Sequence, residues 1–156
     1  MRELWLLRHA EAAPAHVGEA DELRALTPRG EQQARDVGQW LADQGRVPDS
    51  VMCSSARRAR STATLALATL RSPPAITWLD TILGATPGDL LALLEQHGQG
   101  ECVLLIGHNP GLQHLLTTLC PGLPPHQGMS PATLACIELP GPAEPGRGRL
   151  VTLRTP

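Results

Sequence analysis

Short apolar runs alternate along the chain with longer segments in which apolar residues recur every three or four positions. A short apolar run bounded by turn residues predicts a strand, whereas the three-to-four spacing predicts a helix with one buried face. The predicted strands cover 3–7, 49–55, 75–79, 102–107, 133–139 and 149–155. The predicted helices, with their capping residues, cover 27–45, 57–70, 86–98 and 110–119.

This alternation favours an α/β fold, a three-layer sandwich with helices on both faces of a mostly parallel central sheet. The run "CVLLIG" at 102–107 is continuously apolar, as expected of a central strand buried on both faces. The last two strands flank a Gly/Pro-rich loop over 140–148, which predicts a long hairpin and at least one antiparallel strand. We expect one domain over residues 1–156, and the order of the strands stays open.

Composition and charge exclude several function classes. The net charge of −2 over 156 residues gives no general attraction to nucleic acid or to a membrane, so an anion must bind through a local cluster of cations. No apolar stretch is long enough to span a bilayer and no signal-peptide pattern is present, which favours a cytoplasmic protein. The cysteines at 53, 102, 120 and 136 have no metal-binding spacing, and we expect buried, reduced thiols.

Polar side chains follow three of the predicted strands directly. Arg8 and His9 follow the first strand, the segment "SSARRAR" at 54–60 follows the second, and His108 with Asn109 follows "CVLLIG". In open α/β sheets, ligands bind in the crevice beyond the carboxyl ends of the strands. If these strands are parallel neighbours, their polar residues converge on one place.

Arginines crowd the start of the second predicted helix. Arg57, Arg58 and Arg60 lie in its first turn, where the helix dipole already places positive partial charge. Cations are unfavourable there unless an anion offsets them. For Arg58 we expect an anion site, because helix N-termini and guanidinium groups both bind phosphate. For Arg57 and Arg60 the sequence leaves open whether they bind an anion, extend into solvent or pair with carboxylates.

Two histidines and two arginines at one place favour phosphoryl transfer. An imidazole nitrogen can attack phosphorus and hold the phosphoryl group covalently, while arginines neutralise the oxygens without magnesium. The attacking ring must be neutral, and nearby cations favour that state by lowering its pKa. The sequence has no HExxH or His-x-His pattern that would indicate a metal site. The other histidines, interpreted as surface or core residues, are at 16, 97, 114 and 126.

The same segments resemble a known family. "LLRHAEA" is similar to the Arg-His-Gly signature of the histidine phosphatase superfamily, the phosphoglycerate mutase-like proteins. "LRALTPRG", "CSSARRARST" and "LIGHNP" are similar to its further blocks, in the same order. "TTLCPG" and "TLACIEL" look most like the compact phosphohistidine phosphatase branch, so the resemblance extends over nearly the whole chain.

The resemblance implies a role for individual residues. His9 corresponds to the phosphorylated nucleophile, and Arg8 to the arginine before it. His108 corresponds to the second pocket histidine, with Asn109 beside it as a further phosphate-binding residue. Arg58 corresponds to the second phosphate-binding arginine, although a shift of one position would exchange it with Arg57. Arg24, in "LRALT", corresponds to an arginine at the border of the pocket. The family pattern implies no metal and no cofactor.

The chain departs from the family pattern at two points. Ala10 replaces the signature glycine and adds one methyl group beside the nucleophile. The pattern also leaves the proton donor undefined, with Glu11 ahead of Asp80 as the candidate because it lies two residues from His9.

Chain length bears on the substrate. Superfamily members that enclose small phosphoesters usually carry a helical lid, and the segment between Thr62 and His108 is too short for one. An open pocket suits a side chain presented by another protein, and an imidazole leaving group needs less acid catalysis than an alcohol. We therefore expect a phosphohistidine phosphatase acting on a protein. The alternatives are a small-molecule phosphomonoesterase of the same superfamily and a non-catalytic phosphoprotein-binding module.

Overall fold

The computed structural model describes residues 1–124 and 128–156, and His126 lies outside the described residues. The strands of the described part are β1 (Glu3–Arg8), β2 (Ser50–Ser54), β3 (Ile76–Leu79), β4 (Cys102–Gly107), β5 (Leu134–Glu138) and β6 (Arg149–Arg154). The α-helices are α1 (Pro28–Asp43), α2 (Arg57–Leu67), α3 (Pro87–His97) and α4 (Gly111–Leu119). Each predicted strand and helix is confirmed. Two 3-10 turns, at Asp21–Leu23 and Asp80–Ile82, were not predicted.

The strands form one sheet in the order β3-β2-β4-β1-β5-β6. β1 pairs in parallel with β4, and β2 pairs in parallel with both β3 and β4. β5 is antiparallel to β1 and to β6, so it runs opposite to the other strands. The mostly parallel sheet and the closing hairpin are therefore confirmed, and the order of the strands, left open by the sequence, places β1 and β4 at the centre.

Helices cover both faces of the sheet. Alternate residues of β1 point to opposite faces, so Trp5 and Leu7 join the core under α1 and α2, whereas Leu4 and Leu6 join the core under α3 and α4. The side chains of these four residues are almost completely buried. The three-layer sandwich is thereby confirmed, and the segment between α2 and β4 consists of β3, a 3-10 turn and α3.

The helix boundaries agree with the capping residues. Thr27 and Thr86 each accept a hydrogen bond from the third residue of the helix that follows, and each is followed by proline. α2 ends at Leu67, three residues earlier than predicted, and the Thr69 hydroxyl donates to the carbonyl of Ala66 just beyond this end. This early end leaves the N-terminal turn of α2, which carries the arginines, unchanged.

α1 and α2 approach each other closely at one glycine. A Cβ atom built on Gly38 would lie 2.1 Å from the carbonyl oxygen of Ala66, so only glycine fits at this contact. In the described part of the chain, no helix is long and apolar enough to cross a membrane.

Candidate active site

The carboxyl ends of β1 and β4 lie side by side and open a crevice. Arg8 is the register partner of Gly107, and the backbone amide of His9 donates to the Gly107 carbonyl at 3.0 Å. The chain after β1 leads to α1 on one face of the sheet, and the chain after β4 leads to α4 on the other face. Neighbouring strands whose helices diverge in this way form the usual ligand crevice of α/β sheets.

His9 and His108 occupy this crevice as a pair. Their ring centroids are 5.2 Å apart, with the ring planes inclined by 52°. The exposed fractions of the two residues are only 8% and 7%. The predicted convergence of the residues that follow the first and fourth strands is therefore observed.

A backbone carbonyl determines the tautomer of His9. The Nδ1 atom of His9 lies 2.8 Å from the carbonyl oxygen of Ala10, which can only accept a hydrogen bond. Burial lowers the pKa of His9 to about 4, against the opposing effect of this hydrogen bond. Nδ1 therefore carries the single proton of a neutral ring at pH 7, and Nε2 keeps a free lone pair.

Three guanidinium groups act on the same ring. The positive charges of Arg58, Arg8 and Arg24, in decreasing order, also lower the pKa of His9. Each of these arginines was expected at the pocket, and each lies near enough to His9 for its charge to act on the ring. A neutral imidazole surrounded by cations is suited to attack an anionic group.

His108 is held by a serine at the end of β2. Its Nε2 atom lies 2.7 Å from the Oγ atom of Ser54, which also accepts a hydrogen bond from the amide of Ala56 at 3.2 Å. Burial, followed by the charge of His9 and then that of Arg58, lowers the pKa of His108 to about 3. His108 is therefore neutral at pH 7, like His9.

Arg58 reaches the site from the first turn of α2, and an aspartate holds it there. Its two terminal nitrogens donate to Asp21, one to the carbonyl oxygen at 2.8 Å and one to Oδ2 at 3.0 Å. Arg24 donates to Oδ1 of the same carboxylate at 3.2 Å and to the carbonyl of Ala13 at 2.9 Å. Hydrogen bonds from Arg24 and then Arg58 lower the pKa of Asp21, so its carboxylate is ionised.

Burial shows which of the two candidate arginines, Arg57 or Arg58, enters the crevice. The exposed fraction of Arg58 is 5%, whereas Arg57 is exposed and its Nη1 atom contacts only the carbonyl of Leu23, at 3.5 Å. Arg58, and not Arg57, is thus the arginine inside the crevice. The anion that offsets Arg58 in this structure is Asp21.

Arg8 and Asn109 share one acceptor on the loop before β5. Arg8 Nη1 donates to the carbonyl of Met129 at 3.0 Å, and Asn109 Nδ2 donates to the same carbonyl at 2.8 Å. The Oδ1 atom of Asn109 accepts from the amide of Gln113 at 3.2 Å. Asn109 therefore braces the loop that holds Arg8, in addition to lying beside His108.

Buried nitrogens of the site face no acceptor in the described part of the chain. They are Arg8 Nε, Arg58 Nε and His108 Nδ1, and the fourth such atom found there is Arg154 Nη1. A buried donor without an acceptor costs about 1–3 kcal/mol, so groups of them are retained where a ligand supplies the acceptor. Two guanidinium N–H groups and one imidazole nitrogen suit the oxygens of a phosphoryl group.

Thr62 supports the backbone beside His9. Its Oγ atom accepts from the amide of Ala10 at 3.0 Å and donates to the carbonyl of Arg58 at 2.7 Å. Both Ala10 and Thr62 are fully buried. One hydroxyl thus connects the His9 loop to the helix that carries Arg58.

The two proposed proton donors have other partners. The carboxylate of Glu11 lies 3.5 Å from Arg29 Nε, and its side chain is 39% exposed. Asp80 accepts a hydrogen bond from the hydroxyl of Ser55. No hydrogen bond or ion pair links either carboxylate to His9 or His108 in the residues the structure describes, and the role of Glu11 stays a prediction.

Sequence reasoning missed the residues that hold the catalytic candidates in place. They are Asp21, Ser54, Thr62 and Met129. For Asp21 the sequence did contain a signal, because the arginines at the start of α2 required an acidic residue to offset their charge. Ser54 and Thr62 were part of the quoted "CSSARRARST" segment but had no pattern that distinguishes a supporting hydroxyl. Across residues 1–124 and 128–156, no cluster of three or more His, Cys, Asp or Glu side chains could hold a metal ion.

Comparisons with known proteins agree with this geometry. A family model described as the histidine phosphatase superfamily (branch 1) matches residues 4–79. The uncharacterised protein Rv1276c of Mycobacterium tuberculosis H37Rv is 35% identical over 114 residues, which make up 72% of this chain and 69% of that protein.

Solved structures extend the similarity to the whole chain. A SixA protein of Agrobacterium tumefaciens, named as a candidate phosphohistidine phosphatase, has a TM-score of 0.86 and 28% identity, covering 99% of this chain and 98% of that one. The protein histidine phosphatase SixA in complex with tungstate has a TM-score of 0.79 and 26% identity, covering 98% and 96%. The similarity supports a phosphatase, and the chain belongs to the histidine phosphatase superfamily (branch 1) with a compact, SixA-like fold.

Proposed function

We propose that this protein is a phosphohistidine phosphatase in which His9 is the nucleophile and a phosphohistidine side chain of another protein is the substrate. The observation that carries the proposal is the state of His9. Its Nδ1 proton is directed to the carbonyl of Ala10 at 2.8 Å, and its pKa is lowered to about 4. Nε2 is therefore an unprotonated nucleophile at neutral pH, in a crevice lined by arginines.

The transfer proceeds in two displacements. Nε2 of His9 attacks phosphorus, a new N–P bond forms, and the N–P bond of the substrate breaks. The electron pair of that bond stays on the substrate imidazole, which is protonated on its other nitrogen and therefore leaves as a neutral, dephosphorylated ring. Water then attacks the phosphoryl group on His9, an O–P bond forms and the N–P bond breaks. Nε2 regains its lone pair, and both protons of the water leave with the product as dihydrogen phosphate.

Charge on the transferred group is balanced by the surrounding donors. The otherwise unpartnered Nε atoms of Arg8 and Arg58 donate to phosphoryl oxygens. We assign the Ser54 hydroxyl as the donor to Nε2 of His108, which places the proton of His108 on Nδ1, the atom that has no partner in the described part of the chain. His108 thereby serves as a third, neutral donor. This arrangement needs no metal ion.

The leaving group distinguishes a phosphohistidine from a phosphoester. An alkoxide leaving group requires a proton, and acid catalysis contributes roughly 10²–10⁴-fold to such reactions. Asp21, the carboxylate that contacts Arg58, is ionised because arginines lower its pKa, and Glu11 is paired with Arg29. An imidazole that brings its own proton needs neither group. This favours phosphohistidine over a small phosphomonoester.

The test is to trap the phosphoenzyme. The wild-type protein, given a phosphohistidine-bearing carrier protein in EDTA, should acquire an acid-labile, base-stable phosphoryl group on His9 and release phosphate. His9→Asn should keep its fold and acquire no label. Faster turnover of a panel of small phosphoesters than of the carrier protein would support the phosphomonoesterase instead. Binding of the phosphoprotein without label or turnover would support a binding module.

A further inference from the structure

A groove beside the crevice is not used by the reaction. It has a volume of about 680 Å³ and runs between the segment 22–26 and the outer side of α2. The groove lies next to the crevice, because Ser55 and Arg57 line the groove and their sequence neighbours Ser54 and Arg58 belong to the crevice. It is therefore within reach of the surface around a side chain that enters the crevice.

Arginines form one wall of the groove. Arg57 and Arg60 are exposed in the first turn of α2, and neither forms an ion pair within the part of the chain that the structure describes. The guanidinium group of Arg60 is held over the ring of Trp78, at 4.8 Å. That turn contains no acidic residue, so the helix dipole adds to the positive charge. No carboxylate of the described residues pairs with these two cations, and the acidic side chains of a partner would supply one.

The opposite wall carries the acidic side chains of the groove, Glu31 and Glu22. Glu31 is paired with Arg35, whose Nη2 atom lies 3.6 Å from its carboxylate. Glu22 forms no ion pair in the part of the chain that the structure describes, so this wall is negative where the wall of α2 is positive. The asymmetry between the walls gives the groove a direction, with the acidic residues of a partner placed against α2.

The floor and rim of the groove are apolar. Leu26 and Leu65 line it, and Leu23 on its rim is 56% exposed, one of the most exposed large apolar side chains described. An apolar floor beside arginine side chains matches the composition of protein interfaces, which are apolar at the centre and enriched in arginine.

We propose that this groove docks the substrate protein through a surface segment near its phosphohistidine, in which acidic residues alternate with leucine-like residues. The inference rests on the proposed function and specifies its substrate class. Arg57 and Arg60 bind the acidic residues, and Leu23 and Leu65 bind the apolar ones. The crevice recognises the phosphoryl group, and the groove selects which phosphohistidine enters it.

The experiment compares two peptides and one small substrate. The first peptide carries phosphohistidine followed by alternating glutamate and leucine, and in the second each glutamate is lysine. Phosphoramidate, which has the P–N bond and nothing to dock, is the third substrate. Because surface charge pairs are weak individually, the double variant R57E/R60E should lose about tenfold in kcat/KM on the glutamate peptide. It should hydrolyse phosphoramidate at nearly the wild-type rate.

The control is R71E/R147E, which makes the same change of charge at two exposed arginines that do not line the groove. An equal loss of kcat/KM on the glutamate peptide in the control, or no loss in R57E/R60E, would overturn the docking assignment. Hydrolysis of phosphoramidate in the same experiment would still support the proposed function. If no substrate is hydrolysed, the function fails and the groove is still tested by peptide binding to His9→Asn. There the glutamate peptide should bind about tenfold more tightly than the lysine peptide, and R57E/R60E should abolish the difference.

Discussion

Replacing Thr62 with valine removes one hydroxyl from the support of the His9 loop while preserving the shape of the side chain. In the wild type this hydroxyl accepts from the amide of Ala10 at 3.0 Å, and both residues are fully buried. The carbonyl of Arg58, to which the hydroxyl donates, lies within helix α2. In Thr62→Val the Ala10 amide is therefore the group left without a partner.

The expected magnitude follows from that single amide. A buried donor without an acceptor costs about 1–3 kcal/mol of unfolding free energy. For a chain of 156 residues, unfolding entropy converts this to a fall of roughly 3–9 °C in Tm. Because the carbonyl of Ala10 also holds Nδ1 of His9, phosphoramidate turnover should fall as well.

Thermal and urea unfolding of Thr62→Val and Thr117→Val provide the assay. Thr117 is exposed on α4, and its hydroxyl bonds to the carbonyl of Gln113 at 3.3 Å, also four residues earlier in the helix. Its replacement should change stability by less than about 0.5 kcal/mol. A Thr62→Val protein as stable as Thr117→Val would show that the hydroxyl does not support the loop.

Three further predictions follow from packing and charge. Gly38→Ala should lower the free energy of unfolding by about 1–3 kcal/mol through overpacking, since its Cβ would lie 2.1 Å from the Ala66 carbonyl. Gly88→Ala, whose Cβ would have its nearest atom at 3.8 Å, should be neutral or stabilising, and equal Tm values for the two variants would contradict the prediction. Stability should fall from pH 7 to pH 5, because unfolded histidine binds protons near pH 6.5 while the folded pKa values of His9 and His108 are about 4 and 3. In urea unfolding at each pH, the double variant H9N/H108N should lose less free energy of unfolding between pH 7 and pH 5 than the wild type. An equal loss in both proteins would refute the pKa shifts. Phosphoryl transfer to His9 should persist at pH 5.5, where a ring of ordinary pKa would be mostly protonated, and its loss there would show that His9 is not held neutral.

The arrangement of the crevice was largely predictable because parallel strands end at a common edge. Once the runs before His9 and His108 were identified as strands, the two rings were expected together, and β1 does pair with β4. The identity of the inner arginine was supplied by the family pattern and is explained by the helical position of Arg58, which faces the core while Arg57 faces solvent.

Asp21 was not predictable in the same way. It lies in a 3-10 turn of three residues within a long loop, where no hydrophobic period locates an element. Its contact with Arg58 spans 37 residues of sequence and depends on how that loop folds over α2. The supporting roles of Ser54 and Thr62 could not be predicted for a related reason. The sequence does not show whether the hydroxyl of a buried serine or threonine bonds to its own turn or to a residue far along the chain.

The central place of β1 in the sheet has a consequence for synthesis on the ribosome. β1 has β4 and β5 as its neighbours, and these span residues 102–107 and 134–138. A nascent chain therefore carries the "LWLL" segment without its lateral partners until most of the polypeptide has been made, and such long-range pairing slows folding. During that interval the unpaired apolar segment is a point of aggregation, and the imidazole of His9 that follows it does not yet lie in the crevice.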